Sequence, residues 1–348
     1  MLLKPHHRMA ILLHEGLKNS GGKTGISLLR YSELPIVAVI DKDCVGGSVP
    51  AITGIQREVP IVGSVLEAIA HKPDVLAIGI APSGGALPEA WYQEVRQGVK
   101  QGLSVVNGLH TSMADDSDLT CFLKPDQWLW DVRKEPTGLS VGSGKARSLA
   151  CKRVLTVATD MSVGKMSTSL ELHRVSKQKG LRSAFVATGQ TGLMLGHDGI
   201  PLDAVRIDFA AGAVEQAVLR QAQEADIVHV EGQGSLMNPA STATLPLMRG
   251  SQPTHLIMVH RVGQTHIANF PDFEIPPLAE AIRLCEMTAA GGGTFYPAKV
   301  AGIALNTFGL SDEEAKRAIA QTHAELGLPC TDAIRYGAEP LVDAILAD

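Results

Sequence analysis

The stretch TVATDMSVGKMSTSL, residues 156–170, decides the reading of the C-terminal half. It begins in a β-branched, apolar run (Val154, Leu155, Thr156, Val157), passes through a loop ending Gly164-Lys165, and continues into a helical pattern whose first turn is rich in hydroxyls (Ser167, Thr168, Ser169). A glycine-bearing turn between a parallel strand and a helix exposes backbone N–H groups at the positive end of that helix, and a lysine in the turn adds a full charge. Together they suit a phosphate or pyrophosphate. The template G-x-x-x-x-G-K-[ST] fails in two places. Thr159 stands where the first glycine belongs, with Ala158 before it, and Met166 follows the lysine where Ser or Thr is required. The loop residues Thr159, Asp160, Ser162, Val163, Gly164, Lys165, Met166 and Ser167 are therefore candidate phosphate-site residues in a variant loop. The competing reading is a plain strand-to-helix turn with an exposed lysine.

Around this stretch the chain alternates apolar runs with helical patterns. Strands are predicted at residues 9–13, 36–40, 61–62, 75–80 and 105–106, with helices at 26–31, 65–70 and 89–101. Residues 111–150 break the rhythm. It resumes with strands at 153–158, 183–187, 227–231, 255–260 and 300–305, and helices at 211–224, 277–290 and 311–326. Continuous apolar strands separated by helices imply parallel sheets covered on both faces. The fold class is α/β, a Rossmann-like domain over residues 1–145 and a P-loop NTPase-like domain over residues 146–348. At 348 residues the chain is long enough for two such domains.

Composition narrows the function classes. The net charge of −5 and the absence of a long basic run argue against a nucleic-acid surface. The N-terminal apolar run is too short for a membrane span. The five cysteines form no C-x-x-C pair, which fits reduced thiols in a cytoplasmic protein rather than a zinc site or a disulfide framework. The expected partner is a small-molecule substrate, with neither nucleic acid nor membrane. A homo-oligomer is compatible with the sequence and not required by it.

The loop resembles the GTDxxxGK loop of dethiobiotin synthetase and related P-loop enzymes, whose spacing before the Gly-Lys is longer than that of the G-x-x-x-x-G-K template, and Ala158 stands at that family's first glycine. HVEGQGSL, residues 229–236, resembles the EGAGG turn of the same enzymes. That likeness implies a magnesium ion held by Asp160 and Glu231, with Ser167 as the hydroxyl ligand, if a magnesium nucleotide is bound. IALNTFG, residues 303–309, places Asn306 where P-loop relatives often carry an adenine-reading asparagine. More broadly, KTGISLLRY, IVAVID, APSGG, NGLH, TDMSVGKMS, VEGQGS and IALNT run in the order of a two-domain family with a Rossmann-like N-terminal domain and a P-loop C-terminal domain, associated with D-glutamate N-acetyltransferase. In that family a methionine followed by a hydroxyl residue is the usual form after Gly-Lys, so Met166 is a family trait.

Other strand ends carry further candidates. GLKNSGGKTG, residues 16–25, imitates a phosphate loop, and Asp41 follows Gly21 by 20 residues, as a ribose-binding acid would. The glycines and Asp41 read equally as turn residues. Ser83, Gly84, Gly85, Asn107 and His110 sit in loops after N-terminal strands. VHRVGQTHI, residues 259–267, contributes His260, Arg261 and His266. No zinc-protease spacing is present.

The resemblance implies an acetyl-CoA-dependent N-acetyltransferase for a D-amino acid such as D-glutamate, with the P-loop holding the CoA phosphates. Lys165 is expected at the phosphates and Glu231 or His266 as base. Backbone N–H groups near Gly232 and Gly234 would hold the oxyanion, and Arg249 or Arg261 the substrate carboxylates. Two alternatives stay open: an ATP- and Mg2+-dependent ligase or kinase, and a non-catalytic nucleotide-binding module.

Overall fold

A computed structural model of the chain describes residues 3–82 and 85–347. Two compact units are present: Met1–Lys134 together with Leu193–Gly196, and Glu135–Gly192 together with His197–Asp348.

The first unit is a parallel sheet of β1 (Met9–Leu12), β2 (Ile36–Ile40), β3 (Ile61–Val62), β4 (Val75–Ile78), β5 (Ser104–Asn107) and β6 (Leu129–Asp131), in the order β3-β2-β1-β4-β5-β6. Strands β1 and β4 are buried along their whole length, the pattern that their uninterrupted apolar runs anticipate, and β5 is equally buried although Ser104 and Asn107 flank its two valines. The order reverses between β1 and β4, the Rossmann arrangement. Strand β6 lies in the segment that the sequence pattern left irregular. It is a three-residue edge strand, Leu-Trp-Asp, and half-buried, so it carries no apolar run to detect.

The second unit repeats the principle with β7 (Lys152–Ala158), β8 (Ser183–Val186), β9 (Ile227–Val230) and β10 (His255–Arg261). A small antiparallel hairpin follows, β11 (His266–Ile267) with β12 (Phe270–Glu274), and then β13 (Lys299–Asn306) and β14 (Cys330–Thr331). The six-stranded sheet has the order β14-β13-β10-β7-β9-β8 and is parallel throughout. Alternation along β7 splits the core between two faces. Leu155 and Val157 pack with Val228, Val230, Leu256 and Met258 on one side. Val154 and Ala158 pack with Leu172 and Val175 of the helix Lys165–Gln178 on the other. The capping box read from Ser311 and Glu314 is formed at the start of the helix Asp312–Leu326.

Chain order reverses across β7: β8 and β9 lie on one side, β10 and β13 on the other. In open parallel sheets the ligand crevice lies at the carboxyl ends of the strands at such a reversal. The loops after β7, β9, β10 and β13 therefore share one edge of the sheet. Among the described residues, no helix is long and apolar enough to cross a membrane.

Candidate active site

The loop after β7 leads straight into the helix Lys165–Gln178. Ser162 (φ 58°) and Gly164 (φ 123°) both take positive φ, which turns successive amides toward the helix end. The glycine is required at Gly164, where a side chain would be strained. The first-turn amides of a helix have no intrahelical partner and face whatever occupies this end. Ser162 is exposed, and Gly164, Met166 and Ser167 are half-buried around the mouth of the loop.

Lys165 is 6% exposed, and its Nζ donates to the Asp160 carbonyl at 2.9 Å. Burial draws its pKa down to about 8, opposed by the negative charges of Asp160 and Glu231. Glu231, 2% exposed, is pushed up to about 7 by the same desolvation. Its Oε2 accepts from the N–H groups of Thr188 (2.8 Å) and Gly189 (3.2 Å), and its Oε1 from Gln233 Nε2 (3.2 Å). An acid and a base of opposite charge thus lie beneath the loop with both pKa values moved toward neutrality. Displaced pKa values of this kind cluster at functional sites.

Asp160 is fully buried, and its carboxylate is saturated. Oδ1 accepts from Met161 N (2.6 Å) and Asn238 Nδ2 (2.7 Å), and Oδ2 from Gln264 Nε2 (2.6 Å) and Ala268 N (2.7 Å). These donors outweigh burial and hold the carboxyl below its usual pKa. A carboxylate has about four lone-pair sites, and all four face donors here. Asp160 thereby ties the loop to the turn after β9 and to the β11–β12 hairpin. As arranged, Asp160 does not fit a divalent cation, because all its lone-pair sites already accept from N–H groups, whereas Glu231 accepts from three and keeps one site on Oε1. Among the described residues, no cluster of three or more His, Cys, Asp or Glu could hold a metal ion.

The remaining contacts explain the neighbouring residues. Gly232 lies where an added Cβ would stand 1.8 Å from the Thr156 carbonyl oxygen, so only glycine lets the turn after β9 approach β7. Its N–H donates to Thr156 Oγ1 at 2.9 Å and is not free to hold an oxyanion as expected. Thr156 Oγ1 is in turn 2.9 Å from Ser169 Oγ. Gly234 (φ 68°) turns the chain so that Ser235 Oγ donates to the Thr159 carbonyl at 3.1 Å. Thr159 Oγ1 meets His260 Nδ1 at 2.9 Å, and burial lowers the pKa of that imidazole. Arg261 is exposed at the end of β10. His266 lies on the hairpin, also exposed, with Nδ1 2.9 Å from Thr265 Oγ1 and Nε2 4.0 Å from Glu274. Asn306 donates to the Val163 carbonyl at 2.8 Å and so braces the loop.

Arg249 does not join this group. It sits near the C-terminal end of the helix Thr244–Ser251, and its guanidinium lies 4.2 Å from the centre of the Phe295 ring. Its carbonyl accepts from Gln252 Nε2, and the Gln252 carbonyl accepts from Arg153 at the start of β7. That is the opposite edge of the sheet, so the expected role in clamping substrate does not fit its position. Asn107 and His110 belong to the first unit. Asn107 donates to Thr111 O and Asp131 Oδ1, and His110 Nε2 lies 3.1 Å from Arg133 Nη1. In the imitation loop, Asp41 accepts from Glu15, Leu17 and Asp43 amides and serves the turn itself. Ser83 and Gly84 lie outside the described residues.

Sequence reasoning missed Asn238, Gln264, Thr188 and Ala268. Each reaches a site carboxylate from a loop, two of them through backbone N–H groups that carry no residue-type signal.

A model described as "Domain of unknown function (DUF1611_C) P-loop domain" matches residues 140–342, and one described as "Domain of unknown function (DUF1611_N) Rossmann-like domain" matches residues 42–135. The chain belongs to the DUF1611 family. The crystal structure of a DUF1611 family protein from Anabaena variabilis ATCC 29413 is 60% identical, with a TM-score of 0.96, covering 99% of this chain and 100% of that one. Two relatives are named D-glutamate N-acetyltransferase. One, from Tritonibacter scottomollicae, is 36% identical over 81% of this chain and 84% of its own length. The other, from Pseudoalteromonas sp., is 34% identical over 80% and 83%. The Rossmann-like and P-loop assignments made from the sequence, and the family resemblance itself, are borne out.

Proposed function

We propose that this DUF1611 chain is an N-acetyltransferase that moves an acetyl group from acetyl-CoA to the amine of D-glutamate, with the loop after β7 cradling the CoA phosphates. The name carried by the two relatives supports the reaction class. The observation that carries the choice of donor is the saturated Asp160 carboxylate. A phosphate loop whose acid is committed to four N–H donors is suited to an anion held by amides and a lysine, without a metal bridging it. The ATP- and Mg2+-dependent alternative needs Asp160 to give up those donors.

In this reading Lys165, held by the Asp160 carbonyl, supplies the charge beneath the phosphates, and the charge of Glu231 favours its protonated form. Glu231 is too deeply buried to meet an incoming amine. His266 is exposed and takes the proton. With Nδ1–H donating to Thr265 Oγ1, its Nε2 carries the lone pair that a general base requires. The freed amine attacks the thioester carbonyl and a C–N bond forms. The C–S bond then breaks, the nitrogen gives up its second proton to solvent, and the departing CoA thiolate takes up a proton from solvent. Arg261, exposed at the end of β10, pairs with a substrate carboxylate.

The test is an incubation with acetyl-CoA and D-glutamate, without ATP, following free thiol. Thiol release that depends on the amine is expected. No thiol, but ADP formation from ATP that depends on a substrate, would overturn the proposal in favour of phosphoryl transfer. Ligand binding without turnover would point to a binding module.

A further inference from the structure

We infer that Phe308 is the stacking platform for the adenine ring of the ligand whose phosphates occupy the loop after β7. The inference rests on the reading above that this ligand is acetyl-CoA, whose diphosphate is joined through a ribose to adenine.

Phe308 is 82% exposed, well above the other exposed large apolar side chains among the described residues. It does not ride on a loose tip. It stands two residues beyond the end of β13, and the backbone on both sides is fixed. Thr307 donates through N–H (3.0 Å) and Oγ1 (2.6 Å) to the buried Asp332 carboxylate. Leu310 N–H donates to the Thr307 carbonyl at 3.0 Å, and Val262 N–H to the Asn306 carbonyl at 3.1 Å. The Phe308 N–H itself donates to Asn306 Oδ1 at 3.0 Å. A phenyl ring held in water on a hydrogen-bonded backbone contributes little to the core.

Its position supplies one. Strands β7, β10 and β13 are parallel neighbours, so Phe308 emerges on the edge that carries the phosphate loop. The Asn306 amide spans the two. Its Nδ2 holds the Val163 carbonyl while its Oδ1 holds the Phe308 amide. The sequence suggested that Asn306 would read the base, but its Oδ1 accepts from Phe308 and one of its N–H groups is given to Val163, which fixes the amide between loop and ring. Asn306 is a positioning residue, and the face offered to a base is the Phe308 ring. Every base presents a π-face, so a bare aromatic ring a short reach from a diphosphate site suits a purine.

Calorimetric titration of the full chain with CoA, ADP and inorganic pyrophosphate tests this in the wild type, Phe308→Ala and Phe308→Trp. Base–aromatic stacking predicts that Phe308→Ala raises Kd for CoA and ADP about 5- to 150-fold, leaves pyrophosphate unchanged, and raises the KM for acetyl-CoA at constant kcat. Phe308→Trp retains wild-type affinity. Equal weakening of pyrophosphate, unchanged CoA and ADP binding, no adenine-ligand binding by the wild type, or a smaller sedimentation coefficient for Phe308→Ala (the ring then covered by a second copy) would each overturn it. The two readings fail separately. Phe308-dependent ADP binding without acetyl transfer sinks the acetyltransferase alone, and acetyl transfer with an unchanged KM in Phe308→Ala sinks the stacking role alone.

Discussion

Replacing Asp160 with asparagine separates a structural acid from a metal ligand. The substitution is isosteric, but it exchanges one acceptor oxygen for an NH2 group. Of the four N–H donors now on the carboxylate, two would face that NH2. Hydrogen bonds to a charged group contribute about 1.5–3 kcal/mol each. Losing two of them therefore costs on the order of 3–6 kcal/mol. For a unit of about 200 residues, each kcal/mol lowers Tm by about 2–4 °C, so even the lower figure lowers the melting point of the second unit by about 6–12 °C. The loss is local in origin. The Ala268 amide, whose partner is Asp160 Oδ2, should exchange with deuterium faster in the variant than amides inside β10. The assay is thermal unfolding without ligand, followed by hydrogen exchange on the hairpin. If Asp160 were instead a magnesium ligand with loosely held partners, Asp160→Asn would melt within a degree or two of the wild type and lose only magnesium-dependent nucleotide affinity. That outcome would refute the reasoning and return the loop to ATP chemistry.

Four further outcomes are expected. Lys165→Ala removes the charge beneath the loop and should weaken CoA and pyrophosphate binding tenfold or more by calorimetry; full activity in this variant would mean that the loop is not the phosphate site. His266→Asn should lower kcat by about 10²- to 10⁴-fold, the usual worth of a general base, without changing the affinity for CoA. Gly232→Ala places a Cβ against the Thr156 carbonyl oxygen and should cost at least the 1–3 kcal/mol typical of overpacking, read as a lower urea midpoint. Finally, burial brings His173 down to about 4, with His197 and Lys177 adding to the shift, and His229 down to about 3, with His173 adding to it. Because the folded values lie below the unfolded one of about 6.5, the unfolded chain binds the extra protons. Stability is then complete above pH 6.5 and lost progressively as the pH falls toward 4. At 1.36 kcal/mol per pKa unit, His173 alone accounts for roughly 3 kcal/mol. A urea midpoint for the second unit that stays constant from pH 7 to 4.5 would contradict this.

The parts of the molecule that the sequence revealed are those in which one physical demand acts on consecutive residues. Buried parallel strands need uninterrupted apolar runs, so β1, β4, β7 and β10 were legible, whereas the half-buried β6 and the two-residue β14 were not. Gly164-Lys165 was legible because a helix N-terminus, a left-handed turn and a cation are needed within a few residues. The hydrogen-bond network around Asp160 was not, because its donors come from three separate loops and two of them are main-chain amides. The same gap explains Asn306, Gly232 and Arg249. Motif matching placed each by residue type at a strand end or in a helix. What each can do depends on where it lies and which of its polar atoms are already bonded: Asn306 Nδ2 to Val163 and Oδ1 to Phe308, the Gly232 N–H to Thr156, while the Arg249 guanidinium lies against Phe295 at the other edge of the sheet. A motif lists the groups that could meet a ligand. The ligand itself meets only those with a free lone pair, N–H or face. At this edge of the sheet that leaves the loop amides, with Lys165 beneath them, the exposed His266 and Arg261, and the face of Phe308.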